Sequence, residues 1–136
     1  VDKAVAQGAT LVTGGTRDGA YYAPTVLTDV TPAMDVYREE LFGPASVVYK
    51  VAGEDEAVRL ANDTSFGLGS YVYTTDPEQA DRIANRIDAG MVYVNVTLAD
   101  SPELPFGGVK RSGTSREMGL LAADEFVNKK LIRSAP

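Results

Sequence analysis

At 136 residues the chain is long enough for one domain that buries about two thirds of the surface its unfolded form would expose. Its 19 acidic against 13 basic residues leave a net charge of −6, which excludes a phosphate-tracking nucleic-acid binder and offers no hold on an anionic membrane. Cysteine and histidine are both absent, so disulfides, thiolate or Ser-His-Asp catalysis and Cys/His zinc sites are excluded within these residues.

In chain order, "VDKAVAQ" (1–7) reads as a short helix, and Val1 standing inside it suggests a piece of something longer. No basic segment followed by an apolar stretch opens the chain. "TLVTG" (10–14) is a strand, and "YYAPTVLTDV" (21–30) is extended around Pro24. "ASVVYKV" (45–51) is a nearly continuous apolar run with β-branched residues, the pattern of a strand covered on both faces. "EDEAVRLAN" (54–62) sets Ala57, Leu60 and Ala61 on a helical stripe, and "SYVYTT" (70–75) is a strand.

The spacing then predicts a helix over 76–88. Asp76 is the N-cap, Pro77 suits the first helical position, Gln79 completes a capping box, and Gly90 fits the left-handed position after the end. "MVYVNV" (91–96) is the next strand. This alternation predicts an α/β fold with a parallel-sheet βαβαβ segment. A long Gly/Pro/Ser-rich loop follows (97–113), of a length that is usually functional or disordered. Thr114 and Glu117 form a capping box for a helix over 115–123, and "FVNKKLIRS" ends the chain as a lysine-marked edge strand.

Two glycine-rich stretches fail the phosphate-loop patterns. Gly67-Leu68-Gly69 precedes a strand rather than following one, and "GGVKRSG" (107–113) lacks the Walker spacing, so both read as turns. Glu39 and Glu40, ahead of a Phe-Gly-Pro turn, are either solvated loop carboxylates or aimed at a ligand; as neighbours they point apart and do not share a proton. Phe42 and Phe106 are by default packing aromatics.

"EELFGP" (39–44), "NDTSFGL" (62–68), "PFGGVKRSG" (105–113) and "REMG" (116–119) occur in the order and at the spacings of the NAD(P)-dependent aldehyde dehydrogenases. The chain resembles that family over essentially all its residues, and "PFGGVKRSG" with "EFVNKK" (125–130) is most similar to the succinate-semialdehyde dehydrogenase branch. The resemblance implies that Glu40 accepts hydrogen bonds from both hydroxyls of the nicotinamide ribose. An ionised carboxylate, acceptor-only with two oxygens, suits a diol that donates twice. It implies that Phe42 lies against the nicotinamide, with Glu39 peripheral. Loop 97–104 would be the substrate anchor loop, with Ser101 on the substrate's distal carboxylate and Phe106 also on the substrate side. Asn95 would support the site. Ser115 stands where the family usually has glycine.

The family's nucleophilic Cys, general-base Glu, oxyanion-hole Asn and dinucleotide-binding domain all lie upstream of these motifs, so no catalytic residue and no metal site is expected here. The implied cofactor is NAD or NADP and the implied partner a small aldehyde, with no nucleic acid or membrane. Residues 1–124 would be the C-terminal part of the catalytic domain and 125–136 an oligomerisation tail strand of a cytoplasmic homo-oligomer. The alternative is a non-catalytic truncated homologue acting as an association module. The intact "EELFGP" argues against an acyl-phosphate or acyl-CoA reductase of the same superfamily.

Overall fold

Thr25–Thr28 (β4) organises the first part of the chain because its side chains alternate between fully and partly buried. In the computed structural model, which describes residues 1–97 and 101–136, β4 lies in the first of two compact units, Val1–Ala52 and Gly53–Pro136. Helix α1 (Asp2–Ala6) and strand β1 (Thr10–Thr13) precede a small hairpin, β2 (Arg17–Asp18) with β3 (Tyr21–Tyr22). The hairpin escaped the sequence reading; Gly19 turns it with φ 58, which glycine adopts without a Cβ clash. β4 sits at the centre of a mixed sheet, antiparallel to β1 and parallel to β5 (Ala45–Val47). The core beneath it is Ala4, Ala9, Leu27, Val30, Met34 and Val36, with Leu27 wholly buried.

The run 45–51 pairs over only its first residues, and Val48 is 52% exposed, so the expected cover on both faces is not there. β4 ends at Thr28, and Asp29, at φ 58, turns its backbone off the ladder direction. The last bond to β5's extension is Val48 N–H to the Leu27 carbonyl. A strand needs a partner, and residues 49–51 have lost theirs. The α/β class and the expected alternation of strands and helices stand, with the parallel pairs lying in separate sheets. β5 pairs with β4, while β6 (Gly69–Val72) pairs in parallel with β7 (Met91–Val94).

In the second unit, helix α2 (Glu54–Asn62) and helix α3 (Pro77–Ala84) flank β6 in sequence. The Asp76 carboxylate accepts from the Glu78 and Gln79 N–H groups at 2.9 and 3.2 Å, as a cap must to satisfy a helix's open donors. The reciprocal half of the expected capping box is rerouted. The Thr74 hydroxyl accepts from the Asp76 N–H and donates to Gln79 Oε1, so Gln79 reaches Thr74 and not the cap's own amide. Gly90 is corrected too: α3 ends at Ala84 and Gly90 does not have positive φ. It is glycine because a Cβ there would stand 2.0 Å from the Gly107 carbonyl oxygen.

That close approach belongs to a junction of loops. The Gly67 carbonyl accepts from both the Gly90 and Val109 N–H groups, at 3.0 and 2.9 Å. The Gly67 N–H donates to Ser112 Oγ, and the Arg111 N–H to the Ser65 carbonyl. Gly67, Gly107 and Gly108 thus let backbone meet backbone, as befits turns with no room for side chains.

The helix expected over 115–123 does not form. Glu117 instead exchanges both backbone hydrogen bonds with Phe106 at 2.7 Å, and Met118 and Gly119 follow in the left-handed region, which no right-handed helix admits. A 3-10 turn occupies Ala122–Phe126, and residues 127–136 carry no regular structure, so the tail strand expected over 125–136 is absent as well. That strand was expected to pair with another copy of the chain, and no strand among the described residues pairs with it.

Glu54, at the start of α2, is gripped by the Arg82 guanidinium through two bonds of 2.9 Å and by Arg86 at 3.2 Å, while its own side chain is 19% exposed. The Arg82 hydrogen bond leads in holding its carboxyl below the ordinary value of 4.5. A depressed acid contributes stability above its unfolded pKa and loses it as pH falls through the folded one. Thermal melts from pH 6 downward should therefore show stability declining below about 4.5. Glu54→Gln should remove part of that decline; an identical pH profile in the variant would refute the assignment.

Candidate functional site

The stretch Glu40–Pro44 sits on a turn pinned at its far end. The Gly43 N–H closes on the Leu41 carbonyl at 2.8 Å and the Ala45 N–H on the Gly43 carbonyl at 2.7 Å. The Thr25 N–H then donates to the Pro44 carbonyl at 2.8 Å, tying the turn to β4. Thr25 itself is 3% exposed, its hydroxyl donating to the Ala23 carbonyl and accepting from the Gly15 N–H. The turn is thus carried by the most buried strand of its unit rather than by a free loop.

Leu41 to Ala45 line a cleft of about 600 Å³ in the first unit, with Arg17 and Tyr22 among its other lining residues. Phe42 lines this cleft and is 94% exposed, so it packs on little among the described residues. Fully burying a phenylalanine is worth roughly 1.5–3 kcal/mol, so an exposed ring on a pinned turn gains from being covered. Glu40, two residues earlier, is exposed. An exposed carboxylate, which can only accept hydrogen bonds, and an exposed ring thus stand two residues apart on one turn. Arg17 at this cleft was missed from sequence; nothing in its surroundings there marks it, since the hairpin that carries it was not foreseen.

The expected substrate residues lie in the second unit. Residues 98–100 of the anchor loop fall outside the described residues. The Ser101 hydroxyl donates to the Glu103 carboxylate, and that bond is the leading cause holding the Glu103 carboxyl below its ordinary range. Glu103 was not singled out from sequence, although its place two residues after the serine was open to view. Phe106 is half-buried and held by its double backbone bond to Glu117, while the Gly119 N–H donates to the Pro102 carbonyl at 2.8 Å. The segment 101–119 is thereby folded back on itself. Asn95 has φ 54, and its side-chain amide accepts from the Thr74 N–H at 3.0 Å and donates to the Thr74 carbonyl at 2.8 Å. It imitates one more rung of the β6–β7 ladder, a supporting role made of chain geometry. Among the described residues no group of acidic side chains could hold a metal ion, and no helix is long and apolar enough to cross a membrane.

Residues 1–132 match the aldehyde dehydrogenase family model. The chain belongs to the aldehyde dehydrogenase family. The curated relatives of this aldehyde dehydrogenase chain include the NADP+-dependent succinate-semialdehyde dehydrogenase of Deinococcus radiodurans. It is 52% identical over the whole of this chain and 29% of its own length. The corresponding enzyme of Mycobacterium ulcerans is 47% identical over 97% of this chain and 30% of its own. The chain therefore spans about 30% of the length of these relatives. Among solved structures, succinic semialdehyde dehydrogenase from Streptococcus pyogenes in complex with NADP+ superposes with a TM-score of 0.92 at 38% identity. That superposition covers 99% of this chain and 30% of the other. Betaine aldehyde dehydrogenase from Staphylococcus aureus gives 0.86 at 36% identity, covering 92% and 26%. The α/β reading with parallel segments agrees with these neighbours. In this aldehyde dehydrogenase chain the motif glycines at 67, 90, 107 and 108 are explained by the loop junction and not by a bound phosphate.

Proposed function

We propose that this chain is the nicotinamide-facing and substrate-facing portion of an NADP-dependent succinate-semialdehyde dehydrogenase. The observation that carries it is 52% identity, over the full chain, to a relative of that name. Glu40 takes the ribose hydroxyls and Phe42 the nicotinamide face, while Ser101 and Phe106 face the aldehyde. The bound nicotinamide supplies a hydride acceptor; this chain orients it. Attack on the carbonyl needs a nucleophile from outside these residues, since no cysteine is present.

A hybrid in which this chain replaces the matching part of the Deinococcus relative tests the reading. It should oxidise succinate semialdehyde with NADP+, while the 136-residue chain alone should reduce no cofactor. A folded hybrid active only on other aldehydes, or NADPH made by the chain alone, would overturn it. A folded hybrid inert toward every aldehyde would point to the association module instead, a reading that the missing cysteine favours.

Ser101 offers a sharper test. To hold a substrate carboxylate its hydroxyl must turn away from Glu103, and the two carboxylates then repel. In the hybrid, Ser101→Ala should lose roughly 10-fold in kcat/KM on succinate semialdehyde relative to an uncharged aldehyde of similar size, the usual loss of one hydrogen bond to a charge. Equal losses on both substrates would leave the serine a structural residue.

We also assign the tail to association between copies. Phe126, Leu131 and Ile132 are 89%, 92% and 81% exposed, an apolar series that favours cover. Light scattering should show a dimer or larger that is lost on removal of 125–136; an unchanged assembly would refute the assignment.

A further inference from the structure

We propose that Lys110 is a positioning residue that holds the base of the substrate loop, an inference that rests on the function proposed above. Among the described residues four non-glycine residues have positive φ: Asp29, Asn95, Lys110 and Met118. Asp and Asn tolerate that region; a lysine at φ 55 is strained, and strain persists only where the surroundings over-determine it. Here they do. The Lys110 ammonium donates to the Asn62 carbonyl at 3.0 Å and pairs with the Asp88 carboxylate at 3.0 Å, with its side chain only 22% exposed. Asn62 closes the network, its amide donating to the Arg86 carbonyl and accepting from the Asp88 N–H, both at 2.8 Å. One cation thus ties together the end of α2, the chain after α3 and the loop that begins at Ser101.

The path from Lys110 to Phe106 has no slack. A Cβ on Gly107 would stand 2.3 Å from the Ser115 carbonyl oxygen, and one on Gly108 2.7 Å from Ser112 Cβ. The Val109 N–H is bound to the Gly67 carbonyl, and Arg116 Nη1 donates to the Gly108 carbonyl at 2.7 Å. A segment boxed at each residue transmits a displacement of Lys110 to Phe106 and its partner Glu117 instead of absorbing it. The clamp sets where the aldehyde-facing loop stands, while the turn carrying Glu40 and Phe42 is pinned separately by Thr25.

The test uses the hybrid enzyme with Lys110→Met, which keeps the apolar stem and removes the charge. KM for succinate semialdehyde should rise about 10-fold while KM for NADP+ changes by less than about two-fold, the signature of a lost charge-assisted contact acting on one substrate only. Amide hydrogen exchange should quicken at Phe106 and Glu117 and stay unchanged in α3. Lys110→Arg, which keeps the cation, should recover part of both effects. Should Lys110→Met not fold, Asp88→Asn decides, with the same pattern at smaller size. An unchanged aldehyde KM with unchanged exchange at Phe106 and Glu117 would overturn the proposal, as would equal rises in both KM values. Failure of the unmutated hybrid to oxidise succinate semialdehyde would instead count against the functional reading, and the exchange data would still judge the clamp.

Discussion

Gly90→Ala is expected to abolish the native loop junction of the second unit. The added methyl would lie 2.0 Å from the Gly107 carbonyl oxygen, 2.6 Å from Gly108 Cα and 2.7 Å from the Gly107 carbonyl carbon. All three are backbone atoms, so no side-chain rotation relieves the clash. Relief requires lifting 107–108 away, which pulls on the Gly90 and Val109 bonds to the Gly67 carbonyl. Overpacking of this kind costs roughly 1–3 kcal/mol and each lost hydrogen bond about 1 more, a sum of about 3–5 kcal/mol. Against a typical total of about 5–15 kcal/mol, that is a large share. The urea midpoint should fall by about 1 M or more, given slopes near 1–3 kcal/mol per molar. Gly69→Ala is the control, because a Cβ there meets only the flexible Met91 Cε at 3.8 Å. Similar destabilisation by the two substitutions would show that the junction is not what Gly90 serves.

Glu40→Gln should slow hydride transfer far more than it weakens cofactor binding. The substitution keeps the shape and turns one acceptor oxygen into a donor, so one ribose hydroxyl of the proposed diol meets a group that no longer accepts. The turn is pinned to β4 through the Thr25–Pro44 bond, so it does not shift to compensate. A nicotinamide displaced by a fraction of an ångström loses the near-attack geometry, and single-turnover hydride transfer in the hybrid should drop by about 10- to 100-fold. Cofactor affinity should change by less than about three-fold, since one hydrogen bond among many is lost. Unchanged hydride transfer would remove Glu40 from the site.

Local signals carried the sequence reading furthest. Asp76, Pro77 and the apolar spacing of α3 act within one helical turn, and the structure reproduces the cap. The same holds for β6 and β7, whose β-branched and aromatic residues mark them without reference to partners. What escaped were the choices made at a distance. That 45–51 pairs with β4 is decided across a long stretch of chain, and the run itself carries no mark of it. The 115–123 stretch has a good capping box, yet two backbone bonds from Phe106 and a left-handed Met118–Gly119 pair override it. Glu40 and Phe42 were singled out only through the motif. The exposure of Phe42 and the partnership of Ser101 with Glu103 needed the fold.

Asn95 has a consequence for the chemical ageing of the molecule. Asparagine loses its side-chain nitrogen when the next backbone amide attacks the side-chain carbonyl, here the amide of Val96. Both ends of the Asn95 amide are engaged with Thr74, and its backbone is fixed at φ 54, so the folded chain withholds the freedom that attack requires. Once unfolded, it is exposed to hydrolysis like any other asparagine. An aspartate formed there would set an oxygen 2.8 Å from the Thr74 carbonyl, where a donor now stands. Two acceptors would then face each other across the end of the β6–β7 ladder. Storage under conditions that let this segment open would leave a covalent record of the opening, and that record would hinder its own reversal.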